Sequence, residues 1–140
     1  MKKCFLQPLF ILYLLFISGC REDIIVPGND AGNINEPIQE NKLNYYSVTI
    51  NSRDLTTRFS TNTYFDYSTN QASLSISDIS NGTVTIIIKD KSGSAFYLST
   101  IQNDVSNEFK KLSGAIPEII EIIFNNFTGK MRFSLSYTSD

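Results

Sequence analysis

The sequence predicts an all-β domain, a small antiparallel β-sandwich with one short helix near residues 104–112. Three observations carry that expectation. From Tyr45 onward apolar and polar residues alternate with a period of two, β-branched and aromatic residues are dense, and glycine-bearing turn sequences recur at short intervals.

The first strand is expected over about Tyr45 to Asn51, with Tyr46, Val48 and Ile50 on one face. Leu55 to Ser68 is less regular and reads as one or two short strands with turns. Ala72 to Asp78 alternates again, Leu74 and Ile76 opposing Ser73, Ser75 and Ser77. A three-residue turn, Ser80-Asn81-Gly82, would bring Ile76 opposite Ile86 and Leu74 opposite Ile88, so that the apolar faces agree. A two-residue Asn81-Gly82 turn would put Ser77 opposite Ile86 instead. By the same logic a Lys91-Ser92-Gly93 turn pairs Ile88 with Phe96 and Ile86 with Leu98. Ile86-Ile87-Ile88 is apolar on both faces, as in a central strand.

Between Asn103 and Ser113 the spacing of Val105, Phe109 and Leu112 is helical. Asn103 or Asp104 is placed to cap the start, Lys110 and Lys111 lie near the end, and Gly114 follows. Pro117 then opens a strand to Asn125, and a last strand, Lys130 to Tyr137, puts Met131, Phe133, Leu135 and Tyr137 on one face. A loop over Asn126 to Gly129 would join the two, pairing Phe124 with Met131 and leaving Phe127 at the tip. Six or seven short strands with one longer connection suggest a sandwich immunoglobulin-like in size, a fold class that carries no function with it.

The amino terminus is of a different kind. Lys2 and Lys3 precede an apolar run from Phe5 to Ile17 broken only by Gln7 and Pro8, with Ser18 and Gly19 after it. That is the layout of a secretory signal. A helix over those thirteen residues would be about 20 Å long, short of a hydrocarbon core of roughly 30 Å, so a spanning segment fails on length. Ile17-Ser18-Gly19-Cys20 resembles the lipobox of bacterial lipoproteins. The resemblance covers only this leader, and it implies removal of residues 1–19 and acylation of Cys20. Each buried CH₂ of such chains contributes about 0.8 kcal/mol, which makes the membrane itself the first expected partner. Arg21 is not the aspartate that resembles an inner-membrane retention signal, and Arg21-Glu22-Asp23 looks like the charged signals of surface lipoproteins. The expected location is the cell envelope, on the outer membrane, with surface display as the further case.

Residues 21–42 contain no aromatic residue but hold Pro27, Gly28, Gly32 and Pro37 among several asparagines, and are expected to form a flexible tether. As a coil it would span roughly 25 Å. The domain is then residues 43–140, 98 residues, enough for one core.

Composition narrows function by exclusion. Cleavage would leave ten basic residues against fourteen acidic ones, with no basic run, so no nucleic acid partner is expected. The chain has no histidine, and Cys4 and Cys20 are its only cysteines. Loss of Cys4 and acylation of Cys20 would leave no thiol for a disulfide, a metal or catalysis. Neither a G-x-S-x-G nor an S-x-x-K sequence occurs. Glu118 and Glu121 would point to opposite faces of a strand, while Asp78, Asp90 and Asp104 read as turn and cap residues. Asn29 to Asn33 lacks the acid spacing of an EF-hand loop. No cofactor, no metal and no enzymatic activity are therefore expected. The leading expectation is a non-enzymatic binding or accessory module that meets an envelope protein or a glycan. A structural subunit of a lipoprotein assembly is the alternative. Tyr64, Phe65 and Tyr67, with Phe59 nearby, and the tip residue Phe127 are the candidate binding residues, since aromatic side chains stack on sugars and anchor protein interfaces. Core packing competes for each of them.

Overall fold

The computed structural model describes residues 33–139; the expected signal segment, Cys20 and residues 21–32 of the expected tether lie outside the described residues. The described residues are all-β, with six strands: β1 (Ile38–Lys42), β2 (Tyr45–Asn62), β3 (Asn70–Lys89), β4 (Ala95–Ile101), β5 (Val105–Leu112) and β6 (Ile119–Tyr137). All pair antiparallel in one sheet of order β1-β2-β6-β3-β4, and β5 joins the first half of β3. The sheet is thus built on three long strands rather than many short ones.

Those three strands are irregular at one level. The β2–β6 register shifts between Ser52 and Leu55 and again before Thr57, and the β3–β6 register shifts between Ser77 and Asn81 and again before Thr83. Asp54, Asp78, Asn126 and Gly82 all take positive φ there. Bulges strengthen twist and bend a strand, so a line of them across neighbouring strands folds the sheet. The parity of the buried positions records the bulges. In β2 it passes from Tyr46, Val48 and Ile50 to half-buried Phe59, and in β6 from Ile120, Ile122 and Phe124 to Phe127, Met131, Phe133 and Leu135. Apolar residues on both sides of the bend form one core, with Leu74 and Ile76 continuing into Val84, Ile86 and Ile88.

At the far ends of the long strands the chain ties the two halves together. Asn44 N donates to Tyr64 O at 2.7 Å and Asn41 Nδ2 to Asn62 O at 2.8 Å. The molecule therefore has a bend end, near Ser52, Ser77 and Gly129, and an opposite end around Asn44, Tyr64 and Tyr137.

The alternation over Tyr46–Ile50, Leu74–Ile76 and Met131–Leu135 falls on the buried face as expected. Several connections do not. Ser80-Asn81-Gly82 is not a hairpin turn, because β6 pairs with both halves of β3, setting Ile76 opposite Met131 and Ile86 opposite Ile122. Asn126–Gly129 is not a loop either, since β6 runs through it with Phe127 opposite Leu55. In both places a bulge restores the facing of the apolar side chains that a turn would otherwise have to supply. The Lys91-Ser92-Gly93 turn does form, with Asp90 Oδ1 accepting from the N–H groups of Ser92 and Ser94. A shift between Ile88 and Lys89 sets Ile88 opposite Tyr97, so Tyr97 and Ile101 are buried, Phe96 is only half-buried against the core and Leu98 is exposed.

The expected helix near 104–112 is strand β5, and no helix occurs among the described residues. Its helical spacing has another cause. A register shift at β5, where Asn107 has φ 48°, lets Val105 and Leu112 share the inner face although seven residues separate them, and Phe109 is exposed. Ile38–Lys42, expected within the tether, adds to β2 as β1.

Candidate binding surface

The end opposite the bend is organised by Asn44, a residue at φ 58° between β1 and β2. Short polar side chains tolerate this left-handed conformation. Its N–H donates to Tyr64 O, its carbonyl accepts from Tyr137 N at 3.1 Å, and its Oδ1 accepts from Asp66 N at 2.8 Å. One residue thus fixes the β1–β2 connection, the β2–β3 connection and the end of β6 against one another. Asn70, fully buried, adds a bond from Nδ2 to Tyr67 O at 2.8 Å.

Around this framework four large side chains stand in solvent: Leu43 at 66% exposure, Tyr64 at 61%, Tyr67 at 48% and Tyr137 at 42%. The Tyr67 and Tyr137 rings lie 4.2 Å apart, centroid to centroid, tilted by 31°. Ring–ring packing of this kind limits side-chain motion and presents a preformed apolar edge with phenol groups. Leu43 and Tyr64 pair through an isolated parallel bridge beside it.

Among the sequence candidates, Tyr64 and Tyr67 are brought to this exposed end together. Phe65, between them, turns into the core and holds the connection down. Phe59 is half-buried, edge-on to Phe124 at 5.8 Å. Phe127 is no tip residue: it is 0% exposed and packs 5.5 Å from Phe124. Leu43 and Tyr137 carried no site signal in the sequence. Leu43 lay on the expected domain boundary, and Tyr137 continued the inward alternation of the last strand beyond the point where β3 covers it, since its partner Asn70 is that strand's first residue.

At the bend end, where the described chain begins, Asn35 N donates to Asn51 O at 2.8 Å and Arg53 N to Asn35 Oδ1 at 2.8 Å. A shallow hollow of about 230 Å³ lies beside these bonds, lined by Ser52, Arg53, Thr128, Lys130 and Asp78 among others. Lys130 Nζ sits 2.9 Å from Asp78, and its ammonium holds that carboxyl below the usual carboxylate range. This internal pairing of opposite charges leaves Arg53 as the other charged residue of the lining.

A third polar group lies on the outer side of the sheet. Glu121, nearly buried, is held by Lys89 Nζ at 2.9 Å and by Arg58 at 2.5 Å. Hydrogen bonding from Lys89 and then from Arg58 outweighs partial desolvation and holds its carboxyl below the usual range. A carboxyl with a lowered folded-state value stabilises the fold above its ordinary titration range, and the contribution is lost as pH falls through the lowered value. The group links β2, β3 and β6, and the residues directly opposite Glu121 are Ser60 and Ile87, neither of them a carboxylate. Among the described residues no three His, Cys, Asp or Glu side chains gather as a metal site would require.

No family model matches the chain, and no curated protein matches it. Among solved structures it is similar to a chain from the work "Bacillus endospore appendages form a novel family of disulfide-linked pili", with a TM-score of 0.45 and 13% identity over 74% of this chain and 89% of that one. A TM-score below 0.5 does not establish a shared fold.

Proposed function

We propose that this protein is a lipid-anchored, non-enzymatic binding module of the bacterial cell envelope that holds its aromatic end toward a protein partner. In this reading the bent sheet is a small β-sandwich, Cys20 carries the lipid at the outer membrane, and the tether runs from the lipid to the bend end. The supporting observation is the placement of Tyr64, Tyr67, Tyr137 and Leu43 at the end away from Asn33. Eight residues of β2, Tyr45 to Ser52, separate the two ends, roughly 25 Å of strand. The anchor would therefore leave that end turned away from the membrane. Tyrosine is among the residues that dominate protein interfaces, and a rigid tyrosine pair with a neighbouring leucine suits a protein surface more than a flat sugar platform.

The test compares the full-length lipoprotein with its Tyr64→Ala/Tyr67→Ala variant as bait in envelope extracts. Truncating anchors worth about 2 kcal/mol is expected to weaken retention of a specific protein at least tenfold. Equal retention by both baits overturns the reading, and tyrosine-dependent retention on cell-wall polysaccharide with no protein recovered would make the partner a glycan.

A further inference from the structure

Four stretches of the sheet are paired on one side only, β1, β4, β5 and the second half of β2 from Leu55 to Asn62, which carries Arg58, and their protection against strand addition is uneven. β1 is covered where Asn41 Nδ2 donates to Asn62 O at 2.8 Å and Thr61 Oγ1 to Gln39 Oε1 at 3.2 Å. β5 carries Glu108, Lys110 and Lys111 and is bulged near Asn107. Charges and bulges are the devices that blunt an edge. β4, Ala95-Phe96-Tyr97-Leu98-Ser99-Thr100-Ile101, has neither a charge nor a proline, and its one register shift lies at the end, beside Ala95. It pairs with β3 on one side, and among the described residues no strand pairs with its other side. Lys110 lies over the Tyr97 ring at 5.1 Å on the inner face, whereas Leu98 on the outer face is 66% exposed.

We infer that β4 is an interface for a second copy of this chain, joined antiparallel about a two-fold axis at Leu98. The sequence of β4 is self-complementary in that register. Leu98 meets its own counterpart, Phe96 meets Thr100, Tyr97 meets Ser99, and Ala95 meets Ile101, with no charge opposite a like charge. Past the strand ends the Asp90–Ser94 turn of one copy approaches the Gln102–Asp104 connection of the other. Asp90 is occupied within its own turn by Ser92 and Ser94, and Asp104 accepts from Ile79 N through Oδ1 at 3.0 Å but stays exposed, so the turn offers exposed Lys91 toward the Asp104 carboxylate at both ends of the interface. An isologous contact of this kind closes on itself as a dimer. It extends the Ile87–Leu98 pair of each copy into one apolar row and removes both open edges. The inference is independent of the aromatic end, which lies on other strands and connections.

The test is oxidation of Leu98→Cys protein in intact cells followed by non-reducing electrophoresis. Directly opposed cross-strand residues have Cβ atoms about 4.5–5.5 Å apart, close enough to a disulfide's reach. The expected result is a species of twice the mass for Leu98→Cys and none for the unaltered protein or for Thr100→Cys, which opposes Phe96. Absence of the band in Leu98→Cys, or an equal band from Phe109→Cys on β5, overturns the inference. In a second measurement, sedimentation of the purified full-length protein, Leu98→Lys is expected to convert dimer to monomer by placing like charges on the axis. A dimer that persists in Leu98→Lys, or an unaltered protein that is monomeric throughout, also overturns it.

Discussion

Phe127→Ala is expected to lower the stability of the domain by about 3–5 kcal/mol, the range for emptying a fully buried aromatic position. The ring has no exposed surface, packs against Phe124 and lies opposite Leu55 at the bend. It fills the space that three strands open where they turn together. No neighbouring aromatic can move into the gap without leaving its own place, because Phe124 is already fully buried and in contact with Phe59. Urea unfolding of the variant beside the unaltered protein measures the loss. A change under about 1 kcal/mol would be the result for an exposed tip residue, and would contradict the bent-strand arrangement.

The second large effect is expected at Gly82. With φ at 79°, a side chain there is already disfavoured, and a Cβ would lie 2.3 Å from the carbonyl oxygens of both Asn125 and Asn126. Those atoms are backbone of the neighbouring bulge in β6, so relief requires moving the strand. Gly93 provides the control, since it has φ 81° but nothing within 4 Å of the added atom. Gly93→Ala is expected to cost about 1–2 kcal/mol, the conformational part alone. Gly82→Ala is expected to cost roughly 3 kcal/mol or more, because overpacking against backbone adds to it. Equal losses in the two variants, measured by the same unfolding experiment, would show that the strands do not meet as closely as this bend requires.

Much of the fold is legible in the sequence for a simple reason. The alternation of Tyr46, Val48 and Ile50, of Leu74 and Ile76, and of Met131, Phe133 and Leu135 is local, and burial on one face enforces it. What the sequence does not display is which strand lies beside which. Ser80-Asn81-Gly82 and Asn126-Phe127-Thr128-Gly129 have the residue types of hairpin loops, and a bulge uses the same residues for the same left-handed conformations. With either device the apolar faces agree, so parity alone could not separate a hairpin from a bent strand. The difference lies in long-range pairing, seen only when β6 is found beside both halves of β3.

The candidate surface is legible to a similar degree. Tyr64 and Tyr67 stand out as aromatics in an irregular segment, and the structure places both in solvent. Phe65 and Phe127 have the same composition signal but fill the core, because single residues in irregular or bulged chain do not reveal their direction. Tyr137 enters the surface through its ring contact with Tyr67, seventy positions away, which no local pattern announces.

The functional reading rests on the anchor, since the lipid is what would orient the bend end toward the membrane and the tyrosines away from it. The direct measurement is incorporation of a labelled palmitate analogue by cells making the unaltered protein or Cys20→Ser, with fractionation of each. A labelled, membrane-bound protein that loses both label and membrane association in Cys20→Ser is the expected result. Label or membrane partitioning unchanged by the substitution would contradict it.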